Sequence, residues 1–504
     1  MDIQNKNSKT IFLIILLWYA IGNLIWWKFN TPIIPYDISA LHFNDIFEDS
    51  CLFFNAPLIT WIMKFMFYIF GKEYFDLLVI FVNYIFFVIS LYYIYRLGVI
   101  LKNKETGNIA MILFALVPAI YGMSRQYGGL EYHITSIIIF NIYCLIKTDY
   151  FKDRKWTIIY GISVGLGLLI KDEFLAYFFV PFLYIVLQSF RESITKTKTA
   201  NILISISLGC LMAGSHYFRE PIMNKALTDF LKNPVEFLFI FKNTHVMTIG
   251  LWENLLSPLI FIIFLIGLVW FFLKYKNKYK NLIFLWILVP WLGIMLMPHF
   301  KLAEYGSGFI PAMILIGALY LSHIKRKYIK TILLSLIIIL GIFQYLWFSY
   351  APGTDLFQLE YKYKKHSIKY FDLSYRNIIY NPLIGRHLKH LTNYLKLEYP
   401  NKTFYLFDRY NGNNQILYTL FRLNDIPYVY NLDYFEKPAD MVISAYQKNA
   451  ENVLIENYIA EDKALYEKIL IIQEDINKNF QVIENITDRY FVKVLILKRI
   501  DANK

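Results

Sequence analysis

The sequence is poor in cysteine and in charged residues. Its 504 residues include only three cysteines, Cys51, Cys144 and Cys210, which are too few for a disulfide framework and match no zinc-binding spacing. Charged residues make up 18% of the chain, against roughly 25% in soluble proteins. Together with little glycine and proline and much lysine, isoleucine and asparagine, the composition is typical of an AT-rich bacterial genome. It excludes a disulfide-stabilised secreted domain and a cytosolic enzyme.

Apolar residues are abundant instead. They form 57% of the chain, aromatic residues form 19%, and the mean hydropathy is +0.41. A transmembrane helix needs about 20 mostly apolar residues. Eleven runs approach this length, which predicts about eleven spans at residues 10–29, 74–97, 107–123, 130–146, 156–170, 173–190, 200–218, 255–273, 281–298, 306–322 and 328–350.

The basic residues lie in every second connection between these runs. They cluster near residues 6–9, 96–104, 147–155, 191–198, 274–280 and 325–330. By the positive-inside rule, these connections and the N-terminus are cytoplasmic. An odd number of spans then puts the C-terminal segment on the outer side of the membrane. For a bacterial protein we expect the membrane to be the inner membrane and the outer side to be the periplasm. The net charge of +13 therefore reflects topology and does not indicate a nucleic-acid partner.

Two predicted outer regions are larger than connectors. Residues 30–72 hold an acidic cluster and a short amphipathic apolar stretch, 57–70, which we expect to lie along the membrane surface. Residues 351–504 alternate helical patterns, at 383–397 and 453–471, with short apolar runs, at 404–407, 428–430, 441–444, 480–483 and 490–497. This alternation predicts a small α/β domain. The predicted fold class is a polytopic α-helical membrane protein, with a transmembrane domain at 1–350 and a periplasmic α/β domain at 351–504.

Four carboxylates lie where the chain leaves the first predicted helix: Asp37, Asp45, Glu48 and Asp49. A partly desolvated carboxylate can accept the proton of an acceptor hydroxyl or amine. Such a cluster can also hold a divalent metal, and composition alone favours a solvated acidic loop. No metal or other cofactor is predicted.

The arrangement of these segments resembles the GT-C glycosyltransferases, and within them the protein O-mannosyltransferase and aminoarabinose-transferase group, often called family 39. The resemblance rests on one helix, an outer loop with a leading aspartate, and the sequence Asn55-Ala56-Pro57-Leu58 opening an amphipathic segment that ends in Phe70-Gly71. It departs from the family where Ile38 replaces a second acidic residue and where Asn55-Ala56 replaces a basic or polar residue and a proline.

The resemblance implies a reaction and roles for several residues. A family member transfers a sugar from a polyprenyl phosphate outside the membrane, with inversion at the anomeric carbon. Asp37 corresponds to the catalytic base, with Asp45 as the rival. Arg125 and Glu131 resemble an arginine and an acidic residue of the second outer loop, and Lys171 resembles a lysine that ends the fifth helix. Two residues of a late outer loop also match, Lys301 and Tyr305.

The basic residues at the predicted outer helix ends fit this chemistry. Arg125, Lys171, Arg219 and Lys301 lie against the positive-inside trend, and a fixed cation stabilises a leaving phosphate. Each of them can instead snorkel to lipid headgroups. Glu131, Glu48 and Asp49 are candidates for orienting the acceptor or for holding a metal if one binds, although Glu131 can equally cap its helix.

Two other classes of function remain open at the level of sequence. A flippase, polymerase or ligase for lipid-linked glycans also needs basic residues on the outer side. A catalytically silent partner subunit would explain the lost carboxylate beside Asp37. The sequence identifies neither the sugar nor the acceptor, which is a lipid, a glycan or a protein.

Overall fold

The computed structural model describes most of the apolar helices and part of the C-terminal region. The described residues are 6–29, 57–71, 74–125, 130–171, 173–217, 256–296, 303–350, 358–363, 366–372, 392–400, 402–407, 428–430, 441–447, 476, 478–487 and 492–499.

All eleven apolar runs are helical in the parts that the structure describes. In chain order the helices are α1 (Lys6–Phe29), α2 (Pro57–Phe70), α3 (Phe75–Leu101), α4 (Lys104–Ala115), α5 (Pro118–Met123), α6 (Leu130–Lys147), α7 (Arg154–Ile170), α8 (Phe174–Glu192), α9 (Lys196–Tyr217), α10 (Pro258–Lys274), α11 (Lys280–Met295), α12 (Ile310–His323) and α13 (Lys327–Tyr350). A 3₁₀ segment, Ala303–Phe309, leads into α12.

Seven of the described helices are long and apolar enough to cross a membrane, namely α1, α3, α6, α8, α9, α12 with the turn before it, and α13. This number identifies a multi-pass membrane protein. The helices α10 and α11 are shorter apolar helices, so the count of eleven spans stays a prediction.

One predicted run is broken in the structure. Residues 107–123 form two helices, α4 and α5, because Pro118 cannot donate a backbone hydrogen bond to the preceding turn. Val117 adopts an extended conformation before it, as residues preceding proline favour. The chain therefore turns at this point and directs the end of α5, with Arg125 after it, toward α1 and α13.

The amphipathic stretch is the helix α2, as predicted. Its 14 residues span about 21 Å at 1.5 Å per residue, less than the roughly 30 Å of a bilayer core. Ile59 and Met63 are buried against the bundle, while Phe65 and Tyr68 on the opposite face are 63% and 91% exposed. A position along the membrane surface stays a prediction.

Five of the basic connections lie at one end of the bundle. Lys102 Nζ donates to Ser322 Oγ (2.9 Å), and the Tyr275 hydroxyl donates to the Leu101 carbonyl (2.8 Å). Lys278 lies 3.6 Å from the Asp149 carboxylate, and Lys152 lies 2.8 Å from that of Glu192. These contacts join the connections that the charge pattern assigned to one side. We call this the basic end; its cytoplasmic orientation stays a prediction.

The C-terminal region contains seven described strands: β1 (Gln358–Tyr363), β2 (His366–Asp372), β3 (Phe404–Phe407), β4 (Tyr428–Tyr430), β5 (Met441–Gln447), β6 (Phe480–Thr487) and β7 (Val492–Arg499). β1 and β2 form an antiparallel pair. The others form a sheet in the order β4-β3-β5-β7-β6, with β3 parallel to β4 and β5 and with β7 antiparallel to β5 and β6.

Each short apolar run of the tail coincides with a strand of this sheet. Residues 392–398 are helical, and the longer helix predicted at 453–471 lies outside the described residues. The α/β domain at 351–504, and with it the boundary at 350, therefore stays a prediction.

Candidate functional site

The candidate site is built at the end of the bundle opposite the basic end, where α5 stops and α6 begins. Arg125 follows α5, Glu131 lies in the first turn of α6, and Lys171 follows the last residue of α7. Because α6 runs from Glu131 to Lys147 of the basic end, the site is one helix length away from that end.

Arg125 is completely buried and bonded to two distant helices. Its Nε donates to Asn23 Oδ1 on α1 (2.9 Å), Nη1 donates to Ser349 Oγ and Nη2 to the Tyr345 hydroxyl on α13 (2.8 and 2.9 Å). The guanidinium carbon also lies 5.1 Å from the ring centroids of Trp26 and Tyr345. Its three described side-chain acceptors are neutral, so within the described part of the chain the positive charge is solvated by polar groups and ring faces and is not neutralised by a carboxylate.

This arrangement differs from snorkelling. Arg125 has no exposed surface, and its contacts hold α1, α5 and α13 together. A guanidinium has five N–H groups. The three bonds use one hydrogen on each nitrogen, which leaves one on Nη1 and one on Nη2 for a further acceptor.

Lys171 and Glu131 form a buried ion pair. Lys171 Nζ lies 2.6 Å from Glu131 Oε1 and 3.2 Å from Glu173 Oε1. The Lys171 and Glu131 side chains are only 5% and 8% exposed. One ammonium therefore faces two carboxylates, so the group carries a net negative charge when all three residues are ionised.

The surroundings fix Glu131 in this place. Ser307, in the 3₁₀ segment, donates to the Glu131 backbone carbonyl (3.1 Å), and Thr135 donates to the same carbonyl (2.7 Å). The segment is itself held by Trp286 Nε1, which donates to the Gly308 carbonyl (3.0 Å). Glu131 is thus more than a helix-capping residue, because its carboxylate pairs with Lys171.

Asn83 links the two parts of the site. Its Nδ2 donates to the Ser124 carbonyl beside Arg125 (2.8 Å), and its Oδ1 lies 2.8 Å from His133 Nε2 on α6. The Tyr132 hydroxyl donates to the Asn83 carbonyl (3.1 Å). The α3 helix thereby fixes the relative positions of the Arg125 turn and the start of α6.

An apolar cavity adjoins Asn23, one of the hydrogen-bond acceptors of Arg125. Its volume is about 460 Å³, and it lies between α1, the end of α2 and the start of α3. The lining residues are Ala20, Asn23, Leu24, Phe70, Tyr74, Leu77, Leu78, Ile80, Phe81 and Tyr84. Asn23 is the residue shared by the cavity and the Arg125 network.

Most of the chain superposes on a solved structure of known fold. ArnT from Cupriavidus metallidurans superposes with a TM-score of 0.58 over 95% of this chain and 97% of its own, at 10% identity. The chain has the GT-C fold. A second structure of the same ArnT, bound to undecaprenyl phosphate, gives the same score over 96% and 97% of the two chains, at 10% identity.

Sequence comparison supports the GT-C assignment over part of the chain. Residues 55–214 match the family model described as dolichyl-phosphate-mannose-protein mannosyltransferase. No curated protein matches the sequence significantly. A structural similarity with a TM-score of 0.49 extends to an oligosaccharyltransferase from Archaeoglobus fulgidus, covering 94% of this chain and 69% of that one at 12% identity. The resemblance to the GT-C mannosyltransferase and aminoarabinose-transferase group is confirmed.

Most predicted site residues lie outside the described residues. These are Asp37, Asp45, Glu48, Asp49, Arg219 and Lys301. Tyr305 falls in the 3₁₀ segment, of which only the backbone is described at that position. The roles assigned to all of these residues stay predictions, and no group of three or more possible metal-ligating residues occurs in the described part of the chain.

Sequence reasoning missed several residues around the site. Asn23, Tyr345 and Ser349 surround Arg125 but are 102, 220 and 224 positions away from it in the chain. Neutral polar residues in apolar helices are a weak signal. Glu173 could have been predicted from the sequence as a partner of Lys171. It lies two residues after the lysine that follows α7, so its carboxylate is within reach of the same turn.

Proposed function

We propose that the chain is a membrane glycosyltransferase that moves a sugar from a polyprenyl-phosphate donor to a periplasmic acceptor with inversion. The observation that carries the proposal is an apolar cavity lined by Asn23, which accepts a hydrogen bond from a buried arginine, Arg125, that no described carboxylate neutralises. An isoprenoid phosphate has the matching chemistry, since it carries an anion at the end of an apolar chain. The GT-C fold and the undecaprenyl phosphate bound to ArnT support the same assignment.

The reaction is a direct displacement at the sugar C1. Asp37, or Asp45 in its place, removes the proton of the acceptor hydroxyl or amine as the nucleophile attacks C1. The bond between C1 and the phosphate oxygen breaks, and polyprenyl phosphate leaves with the electron pair. A cation fixed beside that oxygen stabilises the charge that develops on it.

Arg125 is the described cation best suited to the leaving phosphate. It keeps a hydrogen on Nη1 and on Nη2, a pair that can bind two phosphate oxygens, as arginine commonly does. Since Arg125 is fully buried in this structure, a phosphate reaches it only after one of the side chains that cover it moves.

Lys171 is less suited than Arg125 to bind the leaving phosphate. Its charge is already compensated by Glu131 and Glu173, so it binds phosphate only if a carboxylate leaves or takes up a proton. We assign Glu131 to orienting Lys171 and the acceptor. Lys301 and Tyr305 are proposed as further phosphate ligands on the family resemblance. Arg219 is proposed as another because it lies at a predicted outer helix end, and Glu48 and Asp49 are proposed as acceptor-binding groups because they belong to the acidic outer loop.

Binding of polyprenyl phosphate to the purified protein tests the donor site. Ala20→Trp places a bulky ring in the cavity, and we expect it to weaken binding about tenfold or more, equivalent to about 1.4 kcal/mol. Leu187→Trp is the matched control, because Leu187 is 58% exposed on α8 and does not line the cavity. Equal affinity of the Ala20→Trp variant and the wild type would refute the assignment of this cavity to the donor lipid.

A further inference from the structure

Three helix ends converge at the basic end of the bundle. Lys102, which follows α3, donates from Nζ to Ser322 Oγ near the end of α12. The end of α10 joins them, because the Tyr275 hydroxyl donates to the Leu101 carbonyl and the Trp270 ring lies 4.7 Å from the His323 ring. Residues from α3, α10 and α12 therefore share one site, which we call the lysine site.

The lysine site carries an excess of positive charge. Lys102, Lys274 and Lys325 all lie within electrostatic reach of His323. Glu105, the carboxylate that acts on Lys102, is ion-paired with Lys330. Within the described part of the chain, none of the three lysines forms a salt bridge of its own.

Two hydrogen-bond donors of the lysine site would gain from an anion. The Lys102 side chain is exposed, yet partial desolvation lowers the pKa of its ammonium, an effect that Lys330 reinforces and Glu105 only partly opposes. Trp270 Nε1 is buried and has no hydrogen-bond acceptor among the described residues. Both groups would be stabilised by an anion, since an anion favours the charged lysine and accepts a hydrogen bond.

Capping of the last carbonyls of a helix does not explain why Lys102 lies in the lysine site. Lysines near a helix C-terminus often bind its last carbonyls. At the end of α10 this position is taken by Lys280, whose Nζ donates to the Phe272 carbonyl (2.8 Å). Lys102 donates across to a hydroxyl of another helix, so its ammonium is held in the site and not at its own helix end.

An exposed apolar strip leads away from the lysine site along α10. Val269, Phe272 and Leu273 are 60%, 44% and 76% exposed on this helix. A ligand that uses both features has an anionic head and apolar chains. We propose that the lysine site binds the phosphate headgroup of an anionic phospholipid, with its acyl chains along Val269, Phe272 and Leu273.

This site is separate from the proposed donor site. It lies at the opposite end of the bundle from Arg125, and its ligand is a structural lipid of the surrounding leaflet. Its occupancy fixes the ends of α3, α10 and α12 relative to one another. The inference does not rest on the proposed transferase activity.

Native mass spectrometry of the full-length protein, with phosphatidylglycerol or phosphatidylcholine added, tests the proposal. We expect phosphatidylglycerol to bind in preference. Lys102→Gln/Lys274→Gln/Lys325→Gln should weaken it about tenfold or more, since the variant removes the three ammonium groups of the proposed headgroup site. Lys147→Gln/Lys155→Gln/Lys196→Gln removes the same charge from other connections of the basic end and should change the affinity less than about twofold, because salt screens the more distant exposed charges.

Further measurements keep the test decisive. If the triple variant fails to fold, Lys274→Gln/Lys325→Gln replaces it, because neither lysine makes a described side-chain hydrogen bond. Trp270→Phe should weaken phosphatidylglycerol binding a few-fold while the aromatic contact with His323 is kept. Equal binding of the two lipids, equal losses in both triple variants, or displacement of the lipid by millimolar inorganic phosphate would each overturn the proposal.

Discussion

Tyr345 on α13 lies directly against Gly22 on α1. A Cβ atom added at position 22 would be 2.0 Å from the Tyr345 hydroxyl oxygen and 3.1 Å from Cζ of the ring. The same hydroxyl accepts the hydrogen bond from Arg125 Nη2, and Asn23, which accepts from Nε, is the next residue of α1. The absence of a side chain at Gly22 is therefore a condition for the Arg125 network.

Gly22→Ala should destabilise the protein by about 1–3 kcal/mol, because Tyr345 must move and overpacking has costs of this order. Chemical unfolding in detergent micelles measures the change. The matched control is Gly293→Ala on α11, where an added Cβ has no atom of a described residue within 4 Å. We expect that variant to be neutral or slightly more stable, because alanine favours the helix. A similar loss in both variants would contradict the close packing at Gly22.

Arg125→Lys should destabilise the protein by about 3 kcal/mol, because a single ammonium cannot reach acceptors on α1 and α13 in the directions that a guanidinium does. Tyr345→Phe removes only one of these bonds and should cost about 1 kcal/mol. Unfolding free energies of both variants give the comparison. Tyr328→Phe, on the same helix but 61% exposed, is the control and should have little effect. An unchanged stability of Arg125→Lys would exclude the network as a link between the helices.

The Lys171–Glu131 pair should show strong coupling in a double-mutant cycle. Lys171→Met leaves two carboxylates near each other and should cost about 3–5 kcal/mol. Adding Glu131→Gln removes part of that repulsion, so we expect a coupling energy above about 1 kcal/mol. Lys152→Met and Glu192→Gln form the matched cycle at a pair whose side chains are 49% and 41% exposed. There the coupling should be below about 1 kcal/mol. Equal coupling in the two cycles would contradict the buried character of the Lys171 pair.

Much of the fold could be predicted because membrane helices have a strong one-dimensional signal. The eleven apolar runs and the five strands of the mixed sheet are all found as regular elements. The break at Pro118 was missed because hydropathy does not register a turn inside an apolar run. The strands β1 and β2 were missed because their sequences, QLEYKY and HSIKYFD, mix charged and apolar residues without a continuous apolar run.

The candidate site was predicted less completely, since its contacts join distant parts of the chain. The sequence indicated Arg125, Glu131 and Lys171 as separate residues at one end of the helices. It did not indicate that Lys171 pairs with Glu131, 40 positions away, or that Arg125 bonds α1 and α13. Which ends of helices meet depends on packing, and packing leaves no local pattern in the sequence.

Mass spectrometry of the membrane lipids tests the transferase account most directly. We compare cells carrying the wild type, a deletion of the gene, and Asp37→Asn, with expression of the variant verified. The account predicts that the deletion and the Asp37→Asn variant both accumulate one sugar-loaded polyprenyl monophosphate. Accumulation in the deletion alone would shift the base to Asp45. Accumulation of pyrophosphate-linked oligosaccharides would contradict the account and favour a flippase, polymerase or ligase. No change in any strain would also contradict it and would favour a silent partner subunit.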